Sequence, residues 1–254
     1  MRIRSALLVS ALLAAPVLAC AQASAPAAAA TAASAPASAP ARRVVPVVQL
    51  GVDVPPFYIA GAKYGAPAKV SIDPAYDKLL SSTKRADILK AEKAIEAKPE
   101  LVKPETLVAL AMRLYDFGLR DDAVFWYYVA RNRFVTMEFV LDMRSIQLMR
   151  THEVIDAFLH AAGPAMEGYA YCSVARQQEL ETRAINFTAV HPYRILGYTE
   201  LPAASEDRNA ALAQAVDQLR DDAKKRKAML EDPAALAELQ AARATIHAHE
   251  RFCW

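Results

Sequence analysis

Glycine is scarce in this chain, with 7 residues in 254, and none of them stands in a Gly-rich loop that opens a helix. That excludes the backbone cradle in which helix N-termini usually hold phosphate. Excess charge is lacking too: 30 lysines and arginines stand against 28 aspartates and glutamates, and without Arg2 and Arg4 the two signs balance. A nucleic-acid binder shows a basic footprint, so no nucleic-acid partner is expected. No apolar run reaches the roughly 18 residues that a membrane-spanning helix requires. Cysteine is limited to three residues, Cys20, Cys172 and Cys253, and no histidine forms a recognisable nucleophile motif with Cys172 or Cys253.

What is present begins with Arg2 and Arg4, an apolar run from Ala6 through Leu18, and small residues after it. Over residues 1–20 this is the pattern of a secretory signal peptide, which predicts an exported or periplasmic protein. Val17-Leu18-Ala19-Cys20 resembles the lipobox of bacterial lipoproteins, and acylation of Cys20 would then be the sole membrane contact. Ordinary cleavage after Ala21 or Ala23 suits the same small residues. Residues 21–42, almost all alanine, proline and serine, lack the apolar surface to offset the entropy of ordering and read as a disordered linker.

Residues 43–254 form one predicted helical domain, long enough to bury a full core. Its first part, 43–72, differs from the rest: Val44, Val45, Val47, Val48, Leu50 and Val52 are followed by glycine and proline punctuation, the pattern of an extended or short-β arm, expected to lie on the helices. Pro46 lacks a ladder donor and argues against a central strand. Asp73-Pro74 can cap a short helix, and Thr83–Ala97 forms a clearer one with Ile88, Ala91 and Ile95 on one face, ended by Pro99.

The hub is Pro104–Arg133, read as two helices folded back at Gly118. Pro104 suits a first helical position. Leu107, Leu110, Ala111 and Leu114 line one face at helical spacing. Gly118 can close the first helix in the left-handed conformation, and Asp121 and Asp122 suit the positive start of the second. Ala123, Tyr127 and Ala130 alternate small and large, while Phe125, Trp126, Tyr128 and Val129 make the second helix apolar nearly all round, as in a central buried helix. Leu107, Leu110, Ala111, Leu114, Gly118, Ala123, Tyr127 and Ala130 together resemble the tetratricopeptide-type (TPR/Sel1-type) helical hairpin. The resemblance implies an all-α helical bundle or short α-solenoid built on one such hairpin. It covers one unit: shifting the frame by about 34 residues recovers only Ala157 and Ala161, so no array is expected.

Further helices follow. Thr136–Ala162 continues the rhythm through Phe139, Met143, Ile146, Met149, Ile155 and Phe158 until Gly163-Pro164 breaks it. Ser173–Val190 ends at His191-Pro192, and a loop leads on to Pro202. Ser205 caps a helix with the stripe Leu212, Val216, Leu219, Ala223 and Leu230. Asp232-Pro233 opens the last, with Leu236, Leu239 and Ile246 as its stripe.

Few residues suggest chemistry. His152, Asp156 and His160 recur every four positions on one helix face, with Glu153 beside them, a partial match to the H-E-x-x-H zinc motif. The alternative is an exposed polar stripe of ordinary helix neighbours. His249 and Cys253 share a face while His247 does not, so a terminal metal site stands against an ordinary cationic helix end. Cys172 and Cys253 form an even pair that reads as a disulfide in an oxidising compartment, or as two buried thiols. Lys224-Lys225-Arg226-Lys227 reads as a solvated helix face.

The expectation is a non-enzymatic cell-envelope protein that binds a protein or peptide partner, with no cofactor and with Trp126, Tyr128 and Arg131 as candidate binding residues. The alternatives are a metal-dependent hydrolase on the His152 helix, or a small-molecule carrier using the central aromatics.

Overall fold

The computed structural model describes residues 73–254, and over that span the chain is a bundle of α-helices. The predicted signal peptide with Cys20, the linker and the extended arm lie outside the described residues. Two short helices, α1 (Asp77–Leu80) and α2 (Arg85–Glu96), lead to a 3-10 turn at Pro99–Leu101 and to α3 (Pro104–Asp116). Then come α4 (Arg120–Val140), α5 (Met149–Ala170), α6 (Val174–Val190) and a 3-10 turn at Arg194–Gly197. The chain ends with α7 (Arg208–Glu231), α8 (Pro233–Thr245) and α9 (Ala248–Phe252). Among the described residues the nearest thing to a sheet is one antiparallel bridge between Leu141 and Ala203. No described helix is long and apolar enough to cross a membrane.

The hairpin forms where its residues predict. Pro104 is the first residue of α3. Gly118 adopts φ +78°, and around it Leu119 N–H donates to Leu114 O at 2.9 Å and Gly118 N–H to Tyr115 O at 3.0 Å. These two bonds use carbonyls that the helix end leaves free, the Schellman arrangement that a left-handed glycine permits. The turn lays α3 against α4, and α4 also packs on α5, α6 and α7. It is the central helix, with Ala123 through Ala130 all buried. Phe125, Trp126 and Phe187 meet edge to face, their centroids 5.1 to 5.5 Å apart. The Trp126 indole N–H reaches Glu92 Oε1 at 2.9 Å, tying α2 to the centre.

Three boundaries depart from expectation. The rhythm predicted from Thr136 to Ala162 stops at Val140, because Asp142 and Ser145 turn the backbone. Arg144 N–H donates to Asp142 Oδ1 (3.2 Å) and Ser145 Oγ to Asp142 O (2.7 Å), the local side-chain bonding that competes with helix. Ile146, expected on the apolar face, is 95% exposed in the resulting link. Conversely Gly163-Pro164 does not break α5, which runs on to Ala170. Pro164 is exposed, so the carbonyl its missing N–H leaves free lies on the water side. The cap of α7 is Asp207, whose side chain accepts from Ala210 N at 2.9 Å, rather than Ser205.

Arginines hold the segments between helices. Arg113, fully buried, donates from Nε to Leu80 O (2.9 Å) and from Nη2 to Ser82 O (2.8 Å), while Nη1 meets Asp116 (2.7 Å). Arg208 reaches Leu196 O and Leu201 O, at 2.9 and 2.5 Å. Arg133 donates from Nη1 to Val102 O at 2.6 Å. A buried carbonyl at a helix end or in a turn needs a donor, and a guanidinium supplies several in a fixed fork.

Candidate functional site

Arg131, on the face of α4 toward α5 and α6, is the focus of the largest polar cluster in the described bundle. Its Nη1 lies 2.9 Å from Glu167 Oε1 of α5 and its Nη2 3.1 Å from Glu181 Oε1 of α6. Tyr128 donates its hydroxyl to Glu167 Oε2 at 3.1 Å. Glu181, whose side chain is 5% exposed, also accepts from Gln177 Nε2 (3.1 Å) and takes Arg226 Nε of α7 on both oxygens (3.2 Å). Four helices are thus joined through two carboxylates and two guanidiniums, with Gly163 letting the Tyr127 hydroxyl approach α5 closely.

The electrostatics follow from burial. Burial, reinforced by the Glu167 carboxylate, pushes the Tyr127 hydroxyl up to about 12 and raises Tyr128 further still. Tyr171 is raised by the same two causes. At Arg226 burial acts to lower the guanidinium, and the Glu181 carboxylate outweighs it. Every oxygen of these two carboxylates accepts from a guanidinium, a hydroxyl or an amide, which suits a clamp between helices better than a proton-transfer pair.

The predicted binding residues separate here. Trp126 and Tyr128 are buried with their polar tips engaged, so neither ring faces the surface, while Arg131 sits at the half-buried edge. Glu167, Gln177, Glu181 and Arg226 escaped the sequence reading. Glu167 lies past the predicted break at Gly163-Pro164, and Arg226 sits in the basic run read as solvated, although Lys225 and Lys227 do pair with Asp222 and Glu231 on its surface. The four-residue spacing of Gln177 and Glu181 was the available signal.

A second cluster fixes the carboxy-terminal helix. Cys172 and Cys253 form a disulfide with Cα atoms 5.6 Å apart, 81 residues apart in sequence. The Phe252 ring lies so close over Gly168 that an added Cβ would stand 2.6 Å from it. Arg243 of α8 donates to Gly168 O at 3.1 Å and borders both sulfurs. Arg120 donates to the backbone oxygens of Phe252 (3.1 Å) and Trp254 (2.5 Å), and its guanidinium lies 3.7 Å from the Trp254 ring centroid, with Tyr115 and Tyr169 also beside it. Cys253 is therefore consumed and unavailable as a partner for His249.

The His152 face does not converge. His152 Nε2 lies 3.2 Å from Glu138 Oε1, whereas the largely exposed His160 turns back to Asp156, 3.4 Å from its Oδ1. Among the described residues no three His, Cys, Asp or Glu side chains gather as a metal site. The stripe predicted for the last helix is present but only half covered: α8 has no fully buried residue, Leu236 and Leu239 are half-buried, and Ile246, just past its end, is 51% exposed.

The chain is similar to an uncharacterized protein of Haemophilus influenzae, 31% identical over 209 residues that cover 82% of this chain and 80% of that one. No family model matches the chain, and no solved structure matches it.

Proposed function

The chain belongs to one family with that Haemophilus influenzae protein, and from this premise we propose a non-enzymatic, exported cell-envelope protein that binds another protein or peptide. The observation that carries the reading is α8: none of its residues is fully buried, Leu236 and Leu239 are only half-buried and Ile246 just past its end is exposed, although the helix is fixed at both ends. Asp232 caps its start, accepting from Ala234 N at 3.2 Å, and Arg243, α9 and the disulfide hold its end. A rigid helix with a half-open Leu236, Leu239 and Ile246 stripe meets a partner's groove without the ordering cost of a loop. The disulfide supports an oxidising compartment, in keeping with the secretory pattern of residues 1–20. The α3–α4 pair with its Gly118 turn supports a single TPR-like unit serving as the scaffold. In this reading any membrane contact is the lipid on Cys20. The test is co-purification from the cell envelope with and without Leu236→Gln and Leu239→Gln. The partner is lost from the double variant if α8 is the docking face; retention of the partner contradicts it.

A further inference from the structure

One end of the bundle is built from the 3-10 turn at Pro99–Leu101, the Leu141–Leu148 link and the loop around Arg194–Gly197. The two 3-10 turns touch, and Asp142 N–H donates to Pro202 O at 2.9 Å, so these segments form one surface. Two features mark it. First, large apolar side chains stand open around it: Ile146 at 95% and Val190 at 71% exposure, with Leu101 and Tyr198 near half. Second, buried polar atoms without a hydrogen-bond partner concentrate beneath it: Thr106 Oγ1, both amide atoms of Asn132, Arg133 Nε and Nη2, and Glu105 Oε2, which is all but one of those in the described residues. Thr106, Asn132 and Arg133 are at most 1% exposed. Arg113 and Arg208 each use two nitrogens on backbone carbonyls at helix ends and turns, whereas Arg133 uses one, on Val102. Buried polar groups are nearly always paired, so this end is short of backbone partners.

The described chain also begins here. Asp73 lies near enough to act electrostatically on Glu105 and Tyr193. We propose that residues 43–72 of the same chain dock on this end and cover the apolar rim around Ile146, Val190, Leu101 and Tyr198. The segment is 30 residues long, a span of up to about 100 Å when extended, ample to cross the end of a bundle. It is rich in valine, as an apolar rim requires, and its covalent attachment at Asp73 gives it an effective concentration that a free peptide lacks. This inference does not depend on the α8 reading.

The test is amide hydrogen exchange on the full chain, combined with amine-reactive cross-linking of a mixture of isotopically light and heavy protein. Docking predicts exchange in 44–54 slowed by about tenfold or more relative to an Ile146→Arg, Val190→Arg variant. It also predicts cross-links within one molecule from Lys63 to Lys98 or Lys103, lost in that variant. Both substituted side chains are exposed, so the bundle is expected to fold; Val47→Asp with Leu50→Asp tests the same contact from the other side. Free exchange in 44–54, cross-links from Lys63 mainly to Lys224, Lys225 or Lys227 of α7, or light-to-heavy cross-links from a second copy would each overturn the proposal.

Discussion

Helices α4 and α8 both carry apolar side chains at helical spacing, yet α4 is buried along most of its length and α8 has no fully buried residue. The difference lies in neighbours. Apolar residues on α4 meet α3, α5, α6 and α7, whereas α8 rests mainly on α7 and α9. A stripe says that a helix has a face to cover, and the rest of the chain decides whether anything covers it. Stability should therefore concentrate in α4 and the features that lock it, and α8 should be expendable for folding.

The largest effect is expected at the centre of α4. Trp126→Ala removes a fully buried ring and its bond to Glu92, and should cost about 3–5 kcal/mol, read by denaturant unfolding. A loss under about 1 kcal/mol would place the core elsewhere. Next comes the disulfide. Cys172→Ser with Cys253→Ser should cost about 2–4 kcal/mol and free the exchange of amides in α8 and α9 first, while those of α4 stay protected. Equal loss of protection in both would erase the distinction between the two helices.

The clamp should follow. Glu181→Ala leaves Arg131 and Arg226 without their shared carboxylate, and since both guanidiniums can reach water the loss should be about 2–3 kcal/mol rather than the full cost of a stranded charge. Arg131→Met in the same background should then cost much less than it does alone, because the two residues share one network.

A pH profile gives a smaller but signed effect. Burial holds Tyr127 and Tyr193 up to about 12, above the ordinary value of 10.0. Between these values the unfolded chain releases protons that the folded chain keeps, so stability falls as pH rises through the window. Urea midpoints measured from about pH 8 to pH 11 should decline, and Tyr193→Phe should flatten part of the slope.

The α3–α4 hairpin was readable because its signals are local: a proline at the start, a glycine at the turn, acids at the next start. The Ile88, Ala91 and Ile95 face, the Ser173 and Asp232 helix starts and the pairing of Cys172 with Cys253 were readable for the same kind of reason. Exposed Pro164 hid the continuity of α5, and the Asp142 and Ser145 turn hid the end of α4. The candidate site was least readable. Trp126 and Tyr128 have the composition of a binding surface, and only packing shows that four neighbours enclose them. The arginines that grip carbonyls at helix ends and turns act across 31 or more residues in the case of Arg113, Arg133 and Arg120, with partners that are backbone atoms and leave no pattern in composition.

The smallest effect on stability carries the most weight for function. Leu236→Gln with Leu239→Gln should cost only about 1 kcal/mol, since both side chains are half-buried on a helix with no fully buried residue and glutamine keeps helix propensity. The direct measurement is native mass spectrometry of this double variant and the unaltered chain, each isolated gently from its own cell envelope. The account predicts a bound protein or peptide on the unaltered chain and none on the variant, with the variant folded and its thermal midpoint only a few degrees lower. A partner held equally by both, or a bare chain in each case, would contradict it.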